Sequence, residues 1–156
     1  MHTPIPTHKP VADRFKNKVA IVTGGSSGLG RAIVEEFCKE GGSVLLTGIS
    51  AAGEKSQEEF HAAGFSTTFL RGDMADEEFC KEVVAKTAAA YGTVNYLVNN
   101  AFAFTAKALT ATTKDWMRSF TAGPLAYARM VQNVVPEMQK AGGGSIVNMS
   151  SISGHI

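Results

Sequence analysis

Between Lys18 and Gly30 the chain reads KVAIVTGGSSGLG. This is a β-branched apolar run, then a turn with glycines at 24, 28 and 30, then the start of a helical pattern. No other stretch restricts the fold as strongly. A strand that breaks at once into spaced glycines and a helix places the helix's first backbone N–H groups against an anion. Gly24 permits the sharp turn off the strand. Gly28 keeps side-chain bulk away from an approaching phosphate, and Gly30 lets the helix pack close to the sheet. Ser26 and Ser27 add hydroxyl donors. A plain tight turn needs one glycine, not several at these offsets. A Walker-type phosphate loop is excluded, because Arg31-Ala32 rather than Lys-Ser/Thr follow the last glycine.

The remaining chain keeps alternating between strand and helix patterns. Residues 43–47, 66–71, 96–99 and 145–149 read as further strands. Helical patterns fill 29–40, 51–63, a stretch from about 76 to about 91 and a long one from about 112 to 140. In the first helix Leu29, Ile33 and Phe37 recur at four-residue steps as one apolar stripe. Gly41-Gly42, Gly64, Gly92 and the glycines at 142–144 stop the helices. Asp76, Glu77 and Glu78 suit the positive end of a helix dipole, and Thr112 with Asp115 reads as a capping pair. Pro124 removes a helical hydrogen bond, so the long helix should bend near Gly123-Pro124 or restart there. Strands alternating with helices specify βαβ units on a parallel sheet. In a doubly wound sheet Cys38 and Cys80 fall on opposite faces and act as small apolar fillers.

The chain has 156 residues, about one domain's worth. Residues 1–14, with Pro4, Pro6 and Pro10 and no hydrophobic stretch, are expected to be a flexible tail rather than a secretory signal, and 15–156 to be the domain. Fifteen basic against fourteen acidic side chains, a net charge of +1, give neither a nucleic-acid footprint nor a polybasic membrane anchor. No apolar run reaches the roughly 18 residues of a membrane span. Two cysteines build neither a disulfide framework nor a zinc site, and His2 and His8 lack partners, so no metal is expected. A reducing, cytoplasmic compartment is the default.

The TGGSSGLG turn at 23–30 resembles that of the short-chain dehydrogenase/reductase family. Asp73-Met74 after the third strand, Asn99-Asn100-Ala101 ending the fourth, Trp116 to Phe120, and the GSIVNMSS run ending at Ser151 resemble further family motifs in the same order. The resemblance runs from about Phe15 to Ile156. It implies a Rossmann-type doubly wound α/β sheet of five strands in the order 3-2-1-4-5. It also implies a nicotinamide cofactor and hydride transfer to or from a carbonyl or alcohol substrate. Residues 24, 26–30, 73, 74, 100 and 101 (Gly24, Ser26, Ser27, Gly28, Leu29, Gly30, Asp73, Met74, Asn100, Ala101) would hold the cofactor. Ser151 would hydrogen-bond the carbonyl oxygen, with Ser150 and Ser153 in supporting roles. A homo-oligomer would suit the complete family pattern.

The chain also departs from that pattern. The family's Tyr-x-x-x-Lys is absent: Tyr91, Tyr96 and Tyr127 are followed four residues later by Asn95, Asn100 and Val131. Gly123 stands where the family has an asparagine, and Phe102 where it has a glycine, either lining a substrate pocket or packing on the core. No acid ends the second strand at Gly48-Ile49-Ser50, which favours NADP over NAD, with Thr47 and Ser50 as hydroxyl donors and Lys55 within reach or merely solvated. The chain therefore reads as a truncated oxidoreductase, inactive by itself. The alternatives are a non-catalytic dinucleotide-binding module and a decayed gene product. The fifth strand is expected to be an unprotected edge, with apolar Leu97, Val98, Ile146 and Val147 partly bare.

Overall fold

The computed structural model describes residues 9–104 and 107–151. Strands β1 (Val19–Val22), β2 (Ser43–Gly48), β3 (Ser66–Arg71), β4 (Tyr96–Asn99) and β5 (Ser145–Asn148) form one sheet. Its order is β3-β2-β1-β4-β5, and every neighbouring pair is parallel. Helices α1 (Gly28–Lys39), α2 (Ala52–Ala62), α3 (Glu77–Tyr91), α4 (Thr113–Phe120) and α5 (Ala126–Lys140) flank it. This is the expected Rossmann-type doubly wound architecture. The strand order reverses between β1 and β4, and their carboxyl ends open a crevice there.

Two apolar clusters lie on the two faces. Ile21, Leu45, Val83, Leu97, Met130 and Val134 join β1, β2 and β4 to α3 and α5. Ala20, Val22, Val34, Phe37, Val44, Leu46 and Phe60 join β1 and β2 to α1 and α2. Successive residues of β1 and β2 alternate between the clusters, as side chains on a pleated strand must. Cys80 belongs to the first cluster and Cys38 to the second, and both are free thiols. The edge is partly bare: Leu97 is buried and Val98 half-buried, whereas its register partner Val147 on β5 is 50% exposed.

The local signals explain where helices begin and end. Asp76 caps α3 by accepting from the Glu78 N–H at 2.9 Å, and Gly92 ends it with φ +75°. Thr112 and Asp115 form a reciprocal capping box on α4. A π turn over Thr121–Leu125, with Gly123 non-helical, separates α4 from α5, so the helix bends at the expected place. The α1 stripe needs correction. Gly30, Val34, Phe37 and Cys38 face the sheet, whereas Leu29 is 60% exposed and Ile33 half-buried. Leu29, one residue before this buried stripe, points off it.

Ahead of β1, Arg14 bonds through Nε and Nη2 to the carboxylate of Glu40, which also accepts from the Val11 N–H at 3.0 Å. Phe15 stacks on Phe37, centroids 4.1 Å apart. Among the described residues no helix is long and apolar enough to cross a membrane, and no cluster of His, Cys, Asp and Glu could hold a metal ion.

Candidate functional site at the crevice between β1 and β4

Thr23, one residue past β1, joins the two strand ends. Its hydroxyl accepts from the N–H groups of Asn100 and Ala101, both at 3.0 Å. The Asn100 amide donates back to the carbonyls of Thr23 at 3.0 Å and Gly24 at 3.3 Å. The glycine turn fits into this junction with no room to spare. A Cβ on Gly30 would lie 2.3 Å from the Gly24 carbonyl oxygen and 2.6 Å from Asn100 Nδ2. Gly24 and Gly28 adopt φ +67° and +53°, and a Cβ on Gly28 would point into open space. No side chain caps α1, and its first turn holds no acidic residue. Its leading N–H groups therefore remain able to meet an anion.

A cleft of about 380 Å³ opens over this turn. Gly24, Ser26, Ser27, Leu29 and Gly30 line it on the α1 side, and Asp73, Met74, Asn100 and Ala101 on the others. Asp73 Oδ1 accepts from the Ala75 N–H at 2.9 Å and from Arg118 Nη1 at 2.9 Å. Arg118, on α4, thus reaches over the cleft. Met74 is buried and its sulfur accepts from the Thr47 hydroxyl at 3.4 Å. That hydroxyl also accepts from the Gly24 N–H at 3.2 Å, so Thr47 braces the turn from beneath instead of presenting a donor to the cleft. Ser50 accepts from the Ala52 N–H, and Lys55 is 79% exposed beside Glu59. Both side chains face the second helix and solvent.

Ser151 belongs to an adjoining pocket of about 490 Å³. Its apolar wall comes from Leu29, Phe102, Pro124, Tyr127 and Met149, and its polar groups from Asn100, Ser150 and Ser151. Leu29 and Phe102 face both spaces, which accounts for the exposure of Leu29. Burial raises the Tyr127 phenol above its ordinary range. Ser153 and the first eight residues lie outside the described residues.

Three residues at the site carry no signal in the sequence. Arg118 is one charge on an amphipathic helix until α4 is placed over the cleft. Arg71, at the end of β3 and in register with Gly48, donates Nε to the Ile49 carbonyl at 3.3 Å, so its guanidinium lies over the end of β2. Ser119 donates to the Ala103 carbonyl at 2.6 Å and holds the loop after β4 against α4.

A model of the short chain dehydrogenase family matches residues 18–156. An uncharacterized oxidoreductase of Thermotoga maritima is 37% identical over 142 residues, covering 88% of this chain and 54% of its own. An NADP-dependent (R)-specific alcohol dehydrogenase of Lentilactobacillus kefiri is 35% identical over 149 residues, covering 94% of this chain and 59% of its own. A solved 7α-hydroxysteroid dehydrogenase, complexed with NADH and 7-oxo glycochenodeoxycholic acid, superposes with a TM-score of 0.86 at 29% identity, over 92% of this chain and 56% of that one. The chain spans about half the length of the curated relatives it matches.

Proposed function

The chain belongs to the short chain dehydrogenase family, and on that premise we propose that its crevice binds a nicotinamide dinucleotide for redox chemistry on a carbonyl or alcohol. The observation that carries this reading is the junction of Thr23, Gly24, Gly30 and Asn100, which packs too closely for any larger residue at position 30. No side chain caps the start of α1, so the glycine turn fits a pyrophosphate there. Asp73 and Met74, at the other side of the cleft, would hold the adenine end.

When bound, the nicotinamide supplies or accepts a hydride at the substrate carbon. The chain's own contribution is to orient the reacting groups and to meet charge on the substrate oxygen. Ser151 would donate a hydrogen bond to that oxygen, where negative charge grows in the reduction direction. No Tyr-x-x-x-Lys occurs in these 156 residues, so general acid–base catalysis, worth roughly 10²- to 10⁴-fold, lacks its usual group. We expect these residues alone to bind cofactor and to turn over no substrate. Glycine at position 123, where the family pattern has an asparagine, is what favours the second reading, a dinucleotide-binding module without catalysis.

We favour NADP over NAD. Support comes from the acid-free end of β2 and from Arg71 above it, which pairs with no carboxylate among the described residues. A guanidinium there suits a 2′-phosphate. Two buried free thiols suit a reducing cytoplasm. Fluorescence titration with NADPH and NADH tests the reading directly. NADPH should bind more tightly than NADH, Arg71→Ala should erase the difference, and Gly30→Ala should abolish both. Binding that Gly30→Ala leaves intact overturns it. Carbonyl-dependent oxidation of NADPH that Ser151→Ala removes would show that the chain is a competent catalyst without Tyr-x-x-x-Lys.

A further inference from the structure

Phe102 and Gly123 come from different elements, the loop after β4 and the π turn between α4 and α5, and the Cδ2–Cε2 edge of the ring meets the glycine. A Cβ placed on Gly123 would lie 2.6 Å from Cδ2 and 2.8 Å from Cε2 of the Phe102 ring. The ring therefore occupies the volume that any side chain at position 123 would need. Gly123 is buried although Phe102 itself is 54% exposed. The ring rests one side on the helix and turns its remaining surface to the cavities. The Ser119–Ala103 hydrogen bond, 2.6 Å, fixes the adjacent backbone.

Phe102 is also a shared wall, facing both the cleft over the glycine turn and the pocket that contains Ser151. That pocket has the volume of a small-molecule site. Tyr127 gives it a second aromatic wall, and among the described residues no charged side chain lines it. A carboxylate, phosphate or ammonium group would be desolvated there without a counter-charge. A flat apolar group would find two aromatic side chains, with Ser150 and Ser151 on the same pocket wall.

We propose that the Phe102–Gly123 pair sets substrate choice, making the Ser151 pocket a site for neutral carbonyl or alcohol compounds that carry a flat apolar ring beside the reacting carbon. The inference rests on the nicotinamide-oxidoreductase reading and deepens it. The glycine is required so that the ring can stand edge-on against the helix, and the ring is required to give the pocket its apolar wall.

The test is binding, because turnover is not needed to see it. Acetophenone, dihydroxyacetone and pyruvate are titrated against the chain by saturation-transfer NMR, with and without NADPH, whose own affinity is read by fluorescence in the same samples. Acetophenone should bind at least tenfold more tightly than either polar compound. Phe102→Ala should reduce that preference at least fivefold. Gly123→Ala, which pushes the ring off its seat, should reduce it similarly, and the double variant should match Phe102→Ala instead of adding a second loss. Circular dichroism of each variant identifies any that does not fold, and Phe102→Leu then serves as the milder probe. Equal binding of the three compounds, or a preference unmoved by these substitutions, overturns the proposal. Failure of NADPH alone to bind overturns the oxidoreductase reading, while the ketone titration without cofactor still decides the pocket.

Discussion

Arg118 Nη1 lies 2.9 Å from Oδ1 and 2.8 Å from Oδ2 of Asp73, bridging α4 and the loop after β3. Both side chains are about two-fifths exposed, so the pair adds little to stability, roughly 0–1 kcal/mol. Its effect falls on the cleft. It fixes the carboxylate orientation and leaves a positive charge facing a space proposed for a dinucleotide. Both consequences have the same sign. Arg118→Ala should weaken NADPH binding about tenfold, or ~1.4 kcal/mol, with little change in melting temperature. Raising salt should narrow the gap between the variant and the parent chain. A fluorescence titration at two ionic strengths reads both.

The glycines of the turn should separate into two kinds. Alanine at position 30 drives Cβ into backbone at 2.3 Å, so Gly30→Ala should cost about 1–3 kcal/mol of stability and all cofactor affinity. Alanine at position 28 meets nothing within 4 Å but inherits φ +53°. Gly28→Ala should cost about 1–2 kcal/mol from the left-handed backbone alone, remain folded, and weaken cofactor binding by adding bulk beside the uncapped start of α1. Urea melts beside NADPH titrations distinguish the two.

The buried carboxylate of Glu40 is 1% exposed, and Arg14 partners it from the segment ahead of β1. Arg14→Ala takes the guanidinium away from a buried carboxylate that also accepts from the Val11 N–H. Arg14→Ala should cost about 1–3 kcal/mol, and adding Glu40→Gln should recover part of that loss. Equilibrium denaturation of the single and double variants measures the coupling.

Burial pushes the Cys38 thiol from 9.0 up to about 12 and Cys80 to about 11. The folded chain therefore keeps protons that the unfolded chain releases as pH rises past 9.0. This contribution to stability is complete below that pH and is lost as pH climbs through 11 and 12. The urea midpoint should fall progressively above about pH 9. Both thiols should resist labelling near pH 8 until the chain unfolds, since the thiolate is the reactive form.

The strand order came from the resemblance to the family. The strands and both ends of α3 were legible because each depends on short-range chemistry: β-branched runs, an acidic cluster at a helix start, a stopping glycine. The bend at Pro124 was legible for the same reason. The burial of α1 was not. Period alone aligned Leu29 with Phe37, but the buried stripe runs through Gly30, Val34, Phe37 and Cys38 and leaves Leu29 over the cavities. Thr47 looked like a donor to cofactor from its place at the strand end, yet the Gly24 N–H and Met74 sulfur consume its hydroxyl. Phe102 and Gly123 were each visible as departures from the family pattern. Their contact became visible only when the loop and the π turn were set side by side.

Alternate residues of β1 and β2 feed two separate apolar clusters, with Ile21 and Leu45 on one face and Ala20, Val22, Val44 and Leu46 on the other. Loosening either layer of helices therefore still leaves these two strands packed on their other side. In deuterated water their amides should be the last to exchange, close to the rate of global unfolding. The singly covered β5, with Val147 half in solvent, should exchange first among the strands.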